Sequence, residues 1–81
     1  PHLRVVHVST HISLRQAIER VQPERILTVI GIAHRTLRGM GIESPRIAVA
    51  GLNPHAGEGG LFGLEELEII GPTVERARGM G

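Results

Sequence analysis

The stretch RIAVAGLNPHAGEGG, Arg46 to Gly60, decides how the rest of the chain is read. Its opening, RIAVA (Arg46 to Ala50), is an apolar run that suits a β-strand covered on both faces, as in a parallel sheet. The ten residues that follow, Gly51 to Gly60, hold four glycines, one histidine, one glutamate and one proline. Such a loop could cradle a phosphate, present a metal ligand, or serve only as a long turn. Spacing removes the first option. A dinucleotide fingerprint, G-x-G-x-x-G, started at Gly57 requires glycine where Phe62 stands, and Gly51 and Gly60 do no better. The chain contains no lysine, so a P-loop cannot be built either.

Outward from this stretch, Leu3 to Val8 (LRVVHV) is rich in β-branched residues and reads as a second strand. A loop over Ser9–His11 leads to a short helix. Ser13 and Gln16 form a capping-box pattern at its start, and Leu14, Ala17, Ile18 and Val21 fall on one face. Pro23 suits the first turn of the next helix. That helix carries a stripe of Ile26, Val29, Ile30, Ala33, Leu37 and Met40, with Gly41 as a left-handed stop. A last helix is expected from Leu64 to about Arg78, kinked or divided at Gly71-Pro72. Glu65, Glu66 and Glu68 in its first turns favour the helix dipole, and Leu67, Ile70, Val74 and Ala77 make its apolar face.

The order strand, helices, strand, loop, helix predicts an α/β fold, a βαβα segment of a parallel-sheet layered structure. Two strands make a poor sheet, so the remaining strands are expected in flanking sequence or in another chain. The 81 residues read as a single segment with no internal boundary, and the opening at Pro1 and close at Gly79-Met80-Gly81 suggest a piece of a larger protein.

Composition narrows the function. Cysteine and aspartate are absent, which excludes disulfides, thiolate chemistry and a Ser-His-Asp triad. Nine arginines are scattered among eight glutamates, and Phe62 is the only aromatic residue, so a nucleic-acid partner is not expected. No apolar run reaches membrane-spanning length and no signal peptide is present, so a cytoplasmic location is expected.

In a parallel sheet, ligands bind outside the carboxyl ends of the strands. His11 follows the first predicted strand and His55 the second, so this topology would place both on one edge. Imidazole is a common ligand for divalent transition metals. Glu58 is a candidate third ligand, or a partner that orients His55. Two loop histidines can equally be solvated, and the residues alone leave both readings open. His7, on one side of the first strand, reads as structural. His34 sits at the border of the long helix's stripe, and His2 is uninformative.

STHISLR (Ser9 to Arg15) and PRIAVAGLNPHAGEGGLFGLEE (Pro45 to Glu66) together resemble the 4-hydroxythreonine-4-phosphate dehydrogenase family of vitamin B6 biosynthesis. GLNPHAGE, followed by glycine and a nearby G-x-E-E, is that family's hallmark, and T-H-I/V-P/S-L-R is its companion. The resemblance implies one part of a two-domain α/β enzyme related to isocitrate and isopropylmalate dehydrogenases, working as a homodimer with its active site at the subunit interface. It implies that His11 and His55 are metal ligands, with a third histidine supplied by the partner subunit. It further implies a divalent metal such as Zn, Mg or Co, NAD as hydride acceptor, and a small phosphorylated substrate. The metal acts on the substrate's secondary hydroxyl, and the β-keto acid formed by oxidation can then lose CO2. Ser13 stands where the biosynthetic enzymes more often carry proline, which leans towards the related branch acting on 4-phosphorylated threonate or erythronate. The alternatives are a truncated, non-catalytic chain and a small stand-alone metal-binding module.

Overall fold

The structure is a computed structural model and describes residues 3–80. Helix α1 (Leu14–Glu19) begins as its sequence dictates. The Gln16 backbone N–H donates to Ser13 Oγ at 3.1 Å, and the Ser13 N–H donates back to Gln16 Oε1 at 3.1 Å. This reciprocal pair satisfies two of the backbone donors that a helix start leaves unpaired. Helix α2 (Pro23–Gly39) starts on Pro23 and gives way to Gly41 at φ 96°. A π-helical turn, Glu66–Ile70, runs directly into helix α3 (Gly71–Gly79).

The wide turn falls at the Gly71-Pro72 division. Pro72 has no N–H to continue an ordinary ladder, and the Gly71 N–H reaches back to the Glu66 carbonyl, five residues earlier. A Cβ on Gly71 would lie 2.8 Å from that same oxygen. Glycine is therefore what lets the backbone close there.

The core is small and aliphatic, as the composition requires. Val21, Ile26 and Ile70 form its centre, with Val8, Ile30, Val49, Ile69 and Val74 packed around them. Thr73 is buried against it, its hydroxyl donating to the Ile69 carbonyl at 2.6 Å. Ile26 is 2 % exposed. Ile26→Ala is expected to destabilise the full-length protein by about 2–5 kcal/mol, read as a lower Tm. An unchanged Tm would show that Ile26 is not a core residue there. The face of α1 departs from expectation. Val21 is buried, but Leu14 is 86 % exposed and Ile18 is 50 % exposed. In the π-helical turn, Ile70 is buried while Leu67 is exposed.

The predicted βαβα segment of a parallel-sheet layered fold is not what forms. The regular elements among the described residues are all helical, with no strand. Among them, the backbone groups of 3–8 and 46–50 make no hydrogen bond to another backbone group. Both runs lie along α2 and line one groove of about 630 Å3 instead of bonding to each other. The Arg25 side chain pins the end of the first run, donating from Nε to the Val8 carbonyl at 2.8 Å. β-Branched and apolar patterning reports a chain suited to lateral pairing on a half-buried surface. A strand exists only when a neighbour supplies the ladder, and propensity cannot supply one. No helix among the described residues is long and apolar enough to cross a membrane.

Candidate metal-binding loop

With no sheet among the described residues, there is no shared strand edge to bring His11 and His55 together. They share something else. Both are exposed, and both have left-handed backbones, at φ 58° for His11 and φ 51° for His55. Only two other non-glycine residues among those described do so, Ala56 and Glu58, and both belong to the same loop as His55.

That loop is the 3-10 segment Pro54–Gly60. From His55 to Glu58 and on to Gly59, five successive residues have positive φ (51°, 52°, 83°, 46° and 70°), so the chain turns through a left-handed coil. For L-residues this conformation costs roughly 1–2 kcal/mol each, because Cβ crowds the following carbonyl. Three of the five residues carry a side chain and bear that cost. Strain of this kind persists only where surrounding contacts over-determine it.

Those contacts converge on Glu66. The Leu52 and Asn53 backbone N–H groups donate to Glu66 Oε2 at 2.6 and 2.7 Å. Asn53 Nδ2 donates to Glu66 Oε1 at 2.9 Å and to Glu65 Oε1 at 2.7 Å. The far end is closed by the Phe62 N–H, which donates to the Gly57 carbonyl at 3.0 Å. Gly57 is buried between Gly63 and Glu66. The Phe62 ring stands 6.2 Å from the His55 ring, tilted by 42°.

The hydrogen bonds set the charge state of the two carboxylates. Donation from the Asn53 side chain, then from its backbone N–H, holds Glu66 down to about 2 from an ordinary value of 4.5. The Asn53 side chain likewise lowers Glu65. A carboxylate with a depressed folded-state pKa contributes its stabilising effect above its unfolded value. That contribution fades as the pH falls from 4.5 through about 2. The Leu52 and Asn53 amide signals in an NMR titration of the full-length protein should therefore shift with a midpoint near 2. A midpoint near 4.5 would mean that the carboxylate is not so bonded.

The sequence reading placed Glu65, Glu66 and Glu68 together as helix-dipole residues and missed this clamp. The signal was an Asn-Pro pair before the histidine, with paired glutamates at the start of the next helix. Glu58 does not join the two histidines as a third donor: no group of three His or Glu side chains able to hold a metal ion occurs among the described residues. His7 is exposed, His34 is half-buried on α2, and His2 lies outside the described residues. Ser13 is accounted for by its cap on α1, a role proline could not fill because it lacks both the hydroxyl and the N–H.

The whole chain, residues 1–81, matches the family described as pyridoxal phosphate biosynthetic protein PdxA. The chain belongs to this family. Among its PdxA relatives, D-threonate 4-phosphate dehydrogenase of Salmonella typhimurium is 54 % identical over 98 % of this chain and 24 % of that protein. The 4-hydroxythreonine-4-phosphate dehydrogenase of Desulforapulum autotrophicum is 55 % identical over 98 % of this chain and 24 % of its own length. The crystal structure of 4-hydroxythreonine-4-phosphate dehydrogenase from Klebsiella pneumoniae matches with a TM-score of 0.89 and 57 % identity, over 93 % of this chain and 23 % of that one. The chain thus spans about a quarter of the length of the PdxA relatives it matches.

Two imidazoles at exposed positions with left-handed backbones fit part of a divalent-metal site, offering nitrogen donors of the right chemistry. They do not complete one, since structural and catalytic sites use at least three protein ligands. Among the described residues the third is not found.

Proposed function

We propose that the protein carrying this segment is a cytoplasmic, metal-dependent dehydrogenase. It oxidises a 4-phosphorylated hydroxy acid, such as 4-hydroxythreonine 4-phosphate or 4-phospho-threonate or -erythronate, with NAD as hydride acceptor. The observation that carries this reading is the exposed His55 at φ 51°, set in a left-handed loop that Glu66 clamps, in a chain of the PdxA family. Relatives at 54 and 55 % identity are named dehydrogenases of two such substrates.

In this reading His11 and His55 supply two nitrogen ligands, and the remaining ligand, the NAD site and the phosphate site come from the rest of a homodimeric protein. A divalent cation held there would polarise the substrate hydroxyl and favour its deprotonation, and NAD would accept the hydride. The chain's own contribution is positional. The His55 backbone is set by the loop, and the Phe62 ring stands 6.2 Å from its imidazole.

The test is NADH formation by the full-length protein from each phosphorylated acid, before and after treatment with a chelator. Activity that is lost on chelation and restored by a divalent metal supports the reading. Chelator-insensitive activity, or no NADH from any of these acids, overturns it. The ratio of kcat/KM between the substrates identifies the branch.

A further inference from the structure

We propose that Glu66 is a positioning residue for the metal-binding loop, fixing His55 by bonding the backbone just before it on a carboxylate against which Gly57, just after it, is packed. The inference rests on the metal reading above and assigns it a residue that touches neither metal nor substrate.

On the N-terminal flank, Glu66 Oε2 accepts the backbone N–H groups of Leu52 and Asn53 at 2.6 and 2.7 Å. These are the second and third residues before His55. The same oxygen is 3.2 Å from where a Cβ on Gly51 would stand. On the C-terminal flank, Glu66 Oε1 lies 2.9 Å from the position of a Cβ on Gly57, two residues after His55. Oε1 also accepts from Asn53 Nδ2 at 2.9 Å, while the second hydrogen of that amide goes to Glu65 at 2.7 Å. One carboxylate therefore bonds the loop before the histidine and leaves no room for a side chain at Gly57 after it.

Three N–H donors converge on Glu66 and no acceptor does. A carboxylate suits that arrangement because it accepts at both oxygens and offers no hydrogen of its own at neutral pH. With both oxygens occupied, Glu66 is not free to ligate a metal and acts through His55. Its own backbone is held as well, because the Glu66 carbonyl accepts the Gly71 N–H across the π-helical turn. The left-handed coil at 55–59 is unfavourable by itself, and these bonds give it a fixed partner in the framework of α3. Outer residues that orient a metal-ligating histidine typically change metal affinity by about 10–100-fold.

The test compares Glu66→Ala, Glu66→Gln, Glu68→Ala and His55→Ala in the full-length protein. Zn2+ or Co2+ affinity is measured by chelator competition, alongside kcat, the KM for NAD, and Tm. Glu66→Ala should weaken metal affinity by about 10–100-fold and lower kcat while leaving the KM for NAD unchanged. Glu66→Gln retains an acceptor for the two backbone N–H groups but turns an amide towards Asn53, so its loss should be smaller. This graded rescue is something that a merely structural role would not produce. Glu68, exposed two residues further along the same turn and outside these contacts, should be neutral when replaced. If His55→Ala abolishes metal binding and Glu66→Ala leaves affinity unchanged, the positioning role is overturned and the metal reading stands. If His55→Ala also leaves affinity unchanged, the metal reading fails and the role of Glu66 fails with it. A fall in Tm with wild-type metal affinity and kcat likewise overturns it.

Discussion

His55→Ala in the full-length protein is expected to lose divalent-metal binding and to lower kcat by about 10²–10⁴-fold, with little change in Tm. The magnitude follows from the several kcal/mol that Lewis-acid polarisation supplies, at 1.36 kcal/mol per tenfold in rate. The Tm expectation follows from the structure. The His55 side chain is exposed, accepts and donates no hydrogen bond among the described residues, and stands 6.2 Å from the Phe62 ring. The backbone needs a control, because His55 sits at φ 51°. Asparagine tolerates the left-handed region better than most residues, so His55→Asn should keep the loop while removing the imidazole. Both variants should lose metal to a similar extent. Full metal content and activity in either would show that the loop serves another purpose. His11→Ala, at φ 58° and also exposed, should behave in the same direction.

Gly57→Ala should do comparable damage by a different route, through the loop rather than the ligand. Gly57 has φ 83°, and a Cβ there would lie 2.8 Å from the Gly63 carbonyl oxygen and 2.9 Å from Glu66 Oε1. Neither neighbour yields easily, since one is backbone and the other is held by three N–H donors. The left-handed backbone alone adds roughly 1–2 kcal/mol for a residue with a side chain. Gly59→Ala isolates that component, because Gly59 has φ 70° but nothing within 4 Å of its Cβ position. Metal affinity should therefore fall at least about tenfold further in Gly57→Ala than in Gly59→Ala, a difference of about 1.4 kcal/mol. Equal effects would mean that the steric contact with Glu66 and Gly63 is not what shapes the loop.

Much of the local structure was legible in the residues. Ser13 and Gln16 predicted a capping box, Pro23 predicted the start of α2, Gly41 its left-handed stop, and Gly71-Pro72 the division of the last helix; each is present. These signals act within a few residues, and their physics is contained in the short segment that carries them. The predicted strands failed for the complementary reason. Arg46–Ala50 and Leu3–Val8 have the composition of paired strands, yet pairing depends on a neighbour that composition cannot name. The faces of the short helices failed in the same way. Leu14 and Ile18 share a stripe with Val21, but only Val21 meets the core.

The candidate site divides along the same line. GLNPHAGEGG identified His55 as the residue to examine, and its failure to match a nucleotide fingerprint removed a phosphate role from its glycines. The sequence could not show that His55 to Gly59 forms a left-handed coil, since that depends on a carboxylate from the next helical segment. Glu66 lies 13 residues from Asn53 along the chain, and only folding brings its carboxylate onto the loop. By itself, then, the sequence determined the caps, the breaks, the aliphatic core and the family, because each is written in adjacent residues or in motif spacing. The tertiary structure alone decided that the apolar runs stay unpaired and that a helix-start glutamate becomes the clamp of the histidine loop. Both outcomes are set by which distant groups satisfy the backbone.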